Sequence, residues 1–314
     1  MLWNPSDERK NSALITDFMN KLPIDFESYF DLHKWSVANL EIFWSEFWEY
    51  SGIIYSKKYD SVLSNPVMPG AKWFLGSELN YAQNLLSGNP DQVAIISTGE
   101  NRQDQNFTFK DLNVAVSKAQ TGLENLGVQK GSRVAAFVPN CVESIVLMLA
   151  TSACGAIWTS CSPDFGSQGA IDRFGQVEPS ILIVSNGYSY NGKIFSLDEK
   201  INGVISNIDS IQNIICIDFV DVNCTLNHES VISYNELLSN NSLTPNFVQV
   251  PFDHPLYIMY SSGTTGPPKS IVHGVGGTLI QHLKEHQLQC DIQAGKDRLF
   301  WFTTCGWMMW NWLV

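Results

Sequence analysis

Residues 257 to 274 read YIMYSSGTTGPPKSIVHG, a set of side chains suited to holding an anion. Leu256 to Tyr260 is an apolar run that suits a buried strand. The run breaks into the small or hydroxylated residues Ser261 to Pro267 and then reaches Lys269. Gly263 and Gly266 permit positive φ and a close backbone approach to a ligand. Successive N–H groups in such a turn form an anion-binding nest, and Ser and Thr hydroxyls add donors. A lysine at the exit supplies a compact charge suited to phosphate. The pattern predicts a polyphosphate cradle built from Ser261, Ser262, Gly263, Thr264, Thr265, Gly266 and Lys269. It is not the P-loop of nucleoside triphosphatases, because Pro268 stands where that loop needs glycine before its lysine. A plain flexible hairpin is the alternative, and the preceding strand, the two prolines and the lysine argue against it.

A second constellation is His282-Leu-Lys-Glu285-His286, which fits H-x-x-E-H. On a helix its histidines lie one turn apart and could bind zinc, with the glutamate as general base. No obvious third ligand follows before Val314, and five-residue patterns arise by chance, so ordinary helix residues are the expectation.

The elements that position the cradle alternate between strand and helix. Val93–Ser97, Arg133–Val138, Ala156–Ser162 and Ile181–Ser185 read as strands. Thr108 and Asp111 form a capping box for a helix with Leu112, Ala115, Ala119, Leu123 and Leu126 inward and Gly127 as its stop. Asn140 and Glu143 are expected to cap the next helix, which ends at Gly155, and Ser167–Val177 reads as another. This alternation predicts an α/β fold with a parallel sheet and right-handed crossovers. Between 186 and 250 only Ile211–Phe219 (strand) and Tyr234–Leu238 (helix) stand out. Upstream, Trp35–Tyr50 places Val37, Leu40, Trp44, Phe47 and Trp48 on one helical stripe, expected to pack on its own domain.

Composition limits the partners. The 314 residues carry a net charge of −12 with 44% apolar content, enough for one large domain or two ordinary ones. That charge excludes a nucleic-acid or anionic-membrane surface, which needs clustered Lys and Arg, but leaves room for a local phosphate nest. The start has no signal-peptide core, and no run of about 18 apolar residues occurs, so neither secretion nor a membrane span is expected. The seven cysteines are odd in number and never spaced as CxxC, which suits a reducing compartment, and the chain reads as cytosolic.

SSGTTGPPK resembles the phosphate loop of the adenylate-forming enzymes, and IVHGVGGTLIQHLKEHQLQCDI with FWFTTCGWMMWNWLV is similar to the acyl-CoA synthetases among them that activate acetoacetate. The resemblance runs through almost the whole chain. It implies a partial α/β N-terminal domain of that family, with a helical cap over residues 1–90 and an incomplete AMP-binding domain over 91–314. It implies that Ser261 to Gly266 and Lys269 bind the β- and γ-phosphates of ATP with Mg²⁺, with Thr264, Thr265 and Lys269 taking part in catalysis. No residue is assigned as a metal ligand. Trp307, Met308, Met309, Trp310 and Asn311 stand where acetate-activating relatives have a Gly-Trp-x-Thr-Gly-His segment; the pair survives as Gly306-Trp307, and the change from small residues to methionines and a second tryptophan implies a reshaped acyl pocket. Read without the resemblance, that aromatic cluster is ordinary core. Arg173 stands where relatives contact coenzyme A; otherwise it is a solvated helix charge.

The implied activity is an ATP-dependent ligase making acetoacetyl-CoA from acetoacetate and coenzyme A through an acyl-adenylate. The alternatives are another short acid such as acetate or propionate, a non-enzymatic nucleotide-binding remnant, and the zinc hydrolase. Family members are roughly twice as long, and the segments expected to hold adenine, ribose and the mobile lid are missing here. The 314 residues alone are therefore expected to be inactive or nearly so.

Overall fold

The computed structural model describes residues 3–100, 102–261 and 266–314. The chain divides into two compact units.

The first unit gathers Met1–Leu79, Val250–His254 and Val275–Leu299. Its core is aromatic. Phe18, Phe43, Phe47, Trp48, Phe74 and Phe252 are all buried, and the Trp48 and Phe74 rings lie 4.6 Å apart at 30°. Gly276 sits so close to Phe252 that an added Cβ would fall 2.0 Å from its ring, which explains glycine there. The helical stripe expected over Trp35–Tyr50 needs correction. Two helices, Tyr29–Ala38 and Leu40–Ser51, meet at Asn39, whose φ and ψ (−129°, 54°) are not helical. The Asn39 side chain and N–H both donate to the Trp35 carbonyl, so the helix ends there and its register restarts. Val37 and Leu40 consequently face solvent, while Phe43, Phe47 and Trp48 turn inward.

The second unit holds Asn80–Gln249, Pro255–Gly274 and Phe300–Val314. It is built on a seven-stranded sheet. In chain order its strands are β1 (Arg133–Phe137), β2 (Ile157–Cys161), β3 (Ile181–Ser185), β4 (Asn213–Ile217), β5 (Val231–Ser233), β6 (Pro255–Ser261) and β7 (Lys269–Gly274). Across the sheet they run β5-β4-β3-β1-β2-β6-β7. Every pairing is parallel except β6 with β7. The central strands are buried along nearly their whole length and apolar apart from Arg133 and Ser185 at their ends, as strands covered on both faces must be. Alternate residues Ala135, Phe137, Leu182, Val184, Ile214 and Cys216 share one core cluster with Ala170, Phe174, Ile201 and Val204. Those last four come from the helices Ser167–Phe174 and Asp198–Ile205.

The capping box at Thr108 and Asp111 is present, and Gly127 follows the helix with φ of 85°. In that helix Val116 is fully buried and Ala115 only half-buried, a shift of one position from the expected stripe. Asn140 and Glu143 do not cap the next helix, Val142–Ala153, which begins after Cys141 without a side-chain cap. Both are committed elsewhere. Asn140 Oδ1 accepts from Trp310 Nε1 at 2.9 Å, and Glu143 takes two hydrogen bonds from Arg102 at 2.6 and 3.3 Å.

Candidate phosphate loop and acid pocket

The phosphate strand β6 is held on both sides. It pairs in parallel with β2 through Tyr257 opposite Trp158 and Ile258 opposite Thr159, and antiparallel with β7 from Pro255 to Ser261. The antiparallel ladder ends with Ser261 opposite Lys269, so the two ends of the cradle face each other across one rung. Ser262, Gly263, Thr264 and Thr265 lie outside the described residues. Gly266 adopts φ of 132°, the positive backbone angle expected of it, and a Cβ there would meet nothing within 4 Å. The glycine is therefore a conformational requirement and not a spatial one. Lys269 is exposed at the loop exit.

Gln176, which carried no signal in the sequence, fastens this exit. Its Nε2 donates to the Pro268 carbonyl at 2.8 Å, and its Oε1 accepts from Ser270 Oγ at 3.0 Å. A single glutamine in a helix-to-strand turn has no pattern by which to be noticed. Tyr260, one residue before Ser261, accepts a hydrogen bond from Thr159 Oγ1 at 2.8 Å. Burial pushes its phenol further above the usual tyrosine range, so it stays a neutral hydroxyl. His273, opposite Tyr257 on β7, is lowered by burial, which favours its neutral imidazole.

Arg173 is half-buried rather than solvated. Its guanidinium stacks 4.5 Å from the Phe165 ring and 5.8 Å from the Tyr260 ring, and its Nη1 donates to the Gly169 carbonyl at 2.7 Å. It thus stands beside the phosphate strand.

The expected pocket residues separate. Trp307 (62% exposed) and Met308 (45%) face solvent, Met309 is half-buried, and Trp310 and Asn311 are buried. Only Asn311 lines a cleft, together with Trp158, Ser160, Tyr257, Ile258, Met259, Cys305 and Gly306. The cleft is too thin to admit a water-sized sphere. Asn311 Nδ2 donates to the Trp307 carbonyl at 3.4 Å and touches Met259 Sδ at 3.6 Å, tying the helix Met308–Leu313 to the phosphate strand. Two buried polar atoms in the lining have no partner in the structure: Trp158 Nε1, a donor, and Asn311 Oδ1, an acceptor. Such orphans are costly unless something fills them. Met259 and Ser261 are two residues apart, roughly 7 Å along a strand, so this cleft lies close to the cradle.

The H-x-x-E-H residues take structural positions. His282 is buried in the helix Val275–Lys284, and Glu285 accepts from Gln281 at 2.6 Å as the helix widens into a π turn over Glu285–Gln289. Among the described residues no three His, Cys, Asp or Glu side chains are grouped to hold a metal. No helix among them is long and apolar enough to cross a membrane.

A largely parallel sheet whose last two strands set Ser261 opposite Lys269 frames an α/β unit, and the family profiles give its class. Residues 83–313 match the AMP-binding enzyme family, and residues 29–85 match the acetyl-coenzyme A synthetase N-terminus. The chain belongs to the AMP-binding enzyme family. Among its relatives, the acetoacetyl-coenzyme A synthetase of Rhizobium meliloti (strain 1021) is 41% identical over 318 residues, covering 100% of this chain and 49% of that protein. The malonamoyl-CoA synthetase vrtB of Penicillium aethiopicum is 40% identical, covering 100% of this chain and 46% of its own. The solved acetoacetyl-CoA synthetase from Streptomyces lividans superposes with a TM-score of 0.94 at 38% identity, over 99% of this chain and 49% of that one. The chain therefore spans about half the length of the relatives it matches.

Proposed function

We propose that these residues form the phosphate- and acid-binding half of an ATP-dependent acid–CoA ligase, with acetoacetate as the acid. The observation that carries the reading is the rung between Ser261 and Lys269, two residues beyond the strand position that touches Asn311. In this reading one strand carries both the triphosphate cradle and the acid cleft, which has to widen to take an acid. In the first step a carboxylate oxygen attacks the α-phosphorus of ATP, the α–β bridging bond breaks, and pyrophosphate leaves. The coenzyme A thiolate then attacks the acyl carbon of the adenylate, giving a thioester and AMP. The first approach brings a carboxylate to a polyphosphate, so donors fixed in advance around the phosphates lower that barrier most. We assign that role to Ser261, Ser262, Gly263, Thr264, Thr265, Gly266 and Lys269.

Lys269 is suited to neutralise the leaving pyrophosphate, and Asn311 with Trp158 to line the acid site. Arg173 is assigned to coenzyme A, its guanidinium already ordered by two aromatic faces. The donors described around the loop are hydroxyls and an ammonium rather than grouped carboxylates, so Mg²⁺ would arrive on the triphosphate. When bound it would neutralise phosphate charge. The reading places a helical cap over residues 1–90, the AMP-binding domain from 91 onward, and the ligase in the cytosol with small-molecule substrates alone.

The test is acid-dependent exchange of pyrophosphate into ATP by the full-length protein, run in parallel with acetoacetate, malonamate, acetate and propionate. Acetoacetate is expected to give the highest kcat/KM. A preference for malonamate would keep the ligase and change its acid, and no exchange with any acid would remove the ligase.

A further inference from the structure

One helix end touches the chain on both sides of the phosphate loop. On the entry side, Arg173, in the last turn of the helix Ser167–Phe174, lies 5.8 Å from the ring centroid of Tyr260, the residue before Ser261. On the exit side, Gln176 bonds the chain on each flank of Lys269. Its Nε2 donates to the Pro268 carbonyl at 2.8 Å, and Ser270 Oγ donates to its Oε1 at 3.0 Å. The same Nε2 donates back to the Asp172 carbonyl at 2.6 Å, so the amide is oriented from its own helix. Lys269 is therefore flanked by two residues that one side chain holds.

The stem of Gln176 is fixed by its neighbours. The residue itself is exposed, but it stands between the buried Phe174 and Val177. The Val177 and Glu178 N–H groups both donate to the Phe174 carbonyl at 3.1 Å. From the start of β1, Arg133 donates to the Val177 carbonyl, and to the Glu178 carbonyl at 3.2 and 3.1 Å. A glutamine free in solvent samples many rotamers; here three hydrogen bonds from a fixed backbone select one. Lys269 is the opposite case. It is exposed and forms no ion pair among the described residues, so its ammonium reaches where its backbone puts it.

We propose that Gln176 is a positioning residue for Lys269, holding the Pro268–Ser270 backbone so that the ammonium meets the phosphates already placed. What Lys269 does there rests on the ligase reading above; what Gln176 holds does not. The amide contacts no reacting atom in this assignment, and its effect passes through the lysine. A frame ordered before the ligand arrives lowers the cost of binding, and a displaced donor weakens transition-state stabilisation.

Two measurements on the full-length protein test this, using Gln176→Ala and Gln176→Met, the second keeping the length of the side chain without its amide. In limited trypsinolysis, cleavage after Lys269 should run about 5- to 10-fold faster in both variants, with other sites cut at wild-type rates. In acid-dependent pyrophosphate exchange, kcat/KM for ATP should fall about 10-fold in both, while KM for the acid stays within about twofold. On a Lys269→Ala background, Gln176→Ala should cost less than about twofold more, because no ammonium is left to position. Unchanged trypsinolysis would overturn the proposal. So would wild-type behaviour of Gln176→Met, which would give the effect to bulk, or equal losses of exchange with and without Lys269. If the wild type exchanges with no acid, the ligase reading falls, and the tryptic rates alone decide whether Gln176 fixes the exit.

Discussion

Ser261 and Lys269 are direct partners on the last rung of the β6–β7 ladder, so the ends of the phosphate loop are fixed by a sheet rather than by the loop itself. The exit is fixed again by Gln176, which bonds both Pro268 and Ser270. A ligand entering this loop finds its frame already set, which lowers the ordering cost of binding.

Lys269→Ala removes one exposed charge from that frame without touching the core. In the full-length protein kcat/KM for ATP in pyrophosphate exchange should fall about 10²–10³-fold, the usual cost of losing one preorganised donor. Circular dichroism should be unchanged, because the side chain is exposed. Exchange within threefold of wild type would remove Lys269 from the cradle.

Trp158→Phe keeps an aromatic ring in the proposed acid cleft and deletes the unpartnered N–H donor together with part of the ring volume. An acid with a keto oxygen can accept from that donor, whereas the matching alkanoate cannot. The ratio of kcat/KM for acetoacetate over butyrate should drop about tenfold, near the worth of one neutral hydrogen bond. An equal fall for both acids would mean that Trp158 only packs.

The strand and the loop exit that frame the proposed cradle were legible in the sequence because they are local: β6 and Lys269 follow one another within Tyr257–Lys269. The parallel core was legible for the same reason, each strand and helix carrying its own period, as in β1, β3 and the helix from Phe109. What escaped is set by distant partners. Asn140 and Glu143 have the residue types of caps, yet Trp310 and Arg102 claim them from 170 and 41 positions away. The strand Arg102–Thr108 is almost wholly polar and forms because Val93–Gly99 offers it an edge. Trp158 read as a strand residue, and only folding shows that it lines a cleft with its N–H buried and unpartnered. The acid pocket was the least legible part, since exposed Trp307 and Met308 belong to the same run as buried Trp310 and Asn311.

Asn80 should matter to the second unit far more than its single amide suggests. Its Nδ2 donates to the carbonyls of Ser152, Ala153 and Val248 at 3.0, 3.2 and 2.8 Å, and its Oδ1 accepts from the Gln83 N–H. Asn80→Ala leaves buried carbonyls at the end of the helix Val142–Ala153 with no donor from this side chain. Urea unfolding should show a loss of about 2–3 kcal/mol. A loss below about 0.5 kcal/mol would mean that water takes over the carbonyls.

The Arg102–Glu143 pair gives the second unit an acid-sensitive contact. Its side chains are 27% and 16% exposed, and the guanidinium also lies 4.6 Å from the Phe219 ring centroid. Burial raises the Glu143 carboxyl most, but the Arg102 hydrogen bonds, the residue's own N–H, the Arg102 charge and Cys141 together outweigh it, and the net shift is downward from 4.5. A carboxyl lowered on folding stabilises fully above its unfolded value and loses that contribution as pH falls through the folded one. Glu143→Gln should cost about 1–3 kcal/mol at pH 7, because it leaves a partly buried guanidinium without its charge partner. The gap between wild type and variant should stay constant down to about pH 5 and shrink below the unfolded value near 4.5. Urea titrations at pH 7, 5 and 3.5 measure it directly. A gap that does not narrow at pH 3.5 would mean that Glu143 acts through its shape and hydrogen bonds, with its charge contributing nothing.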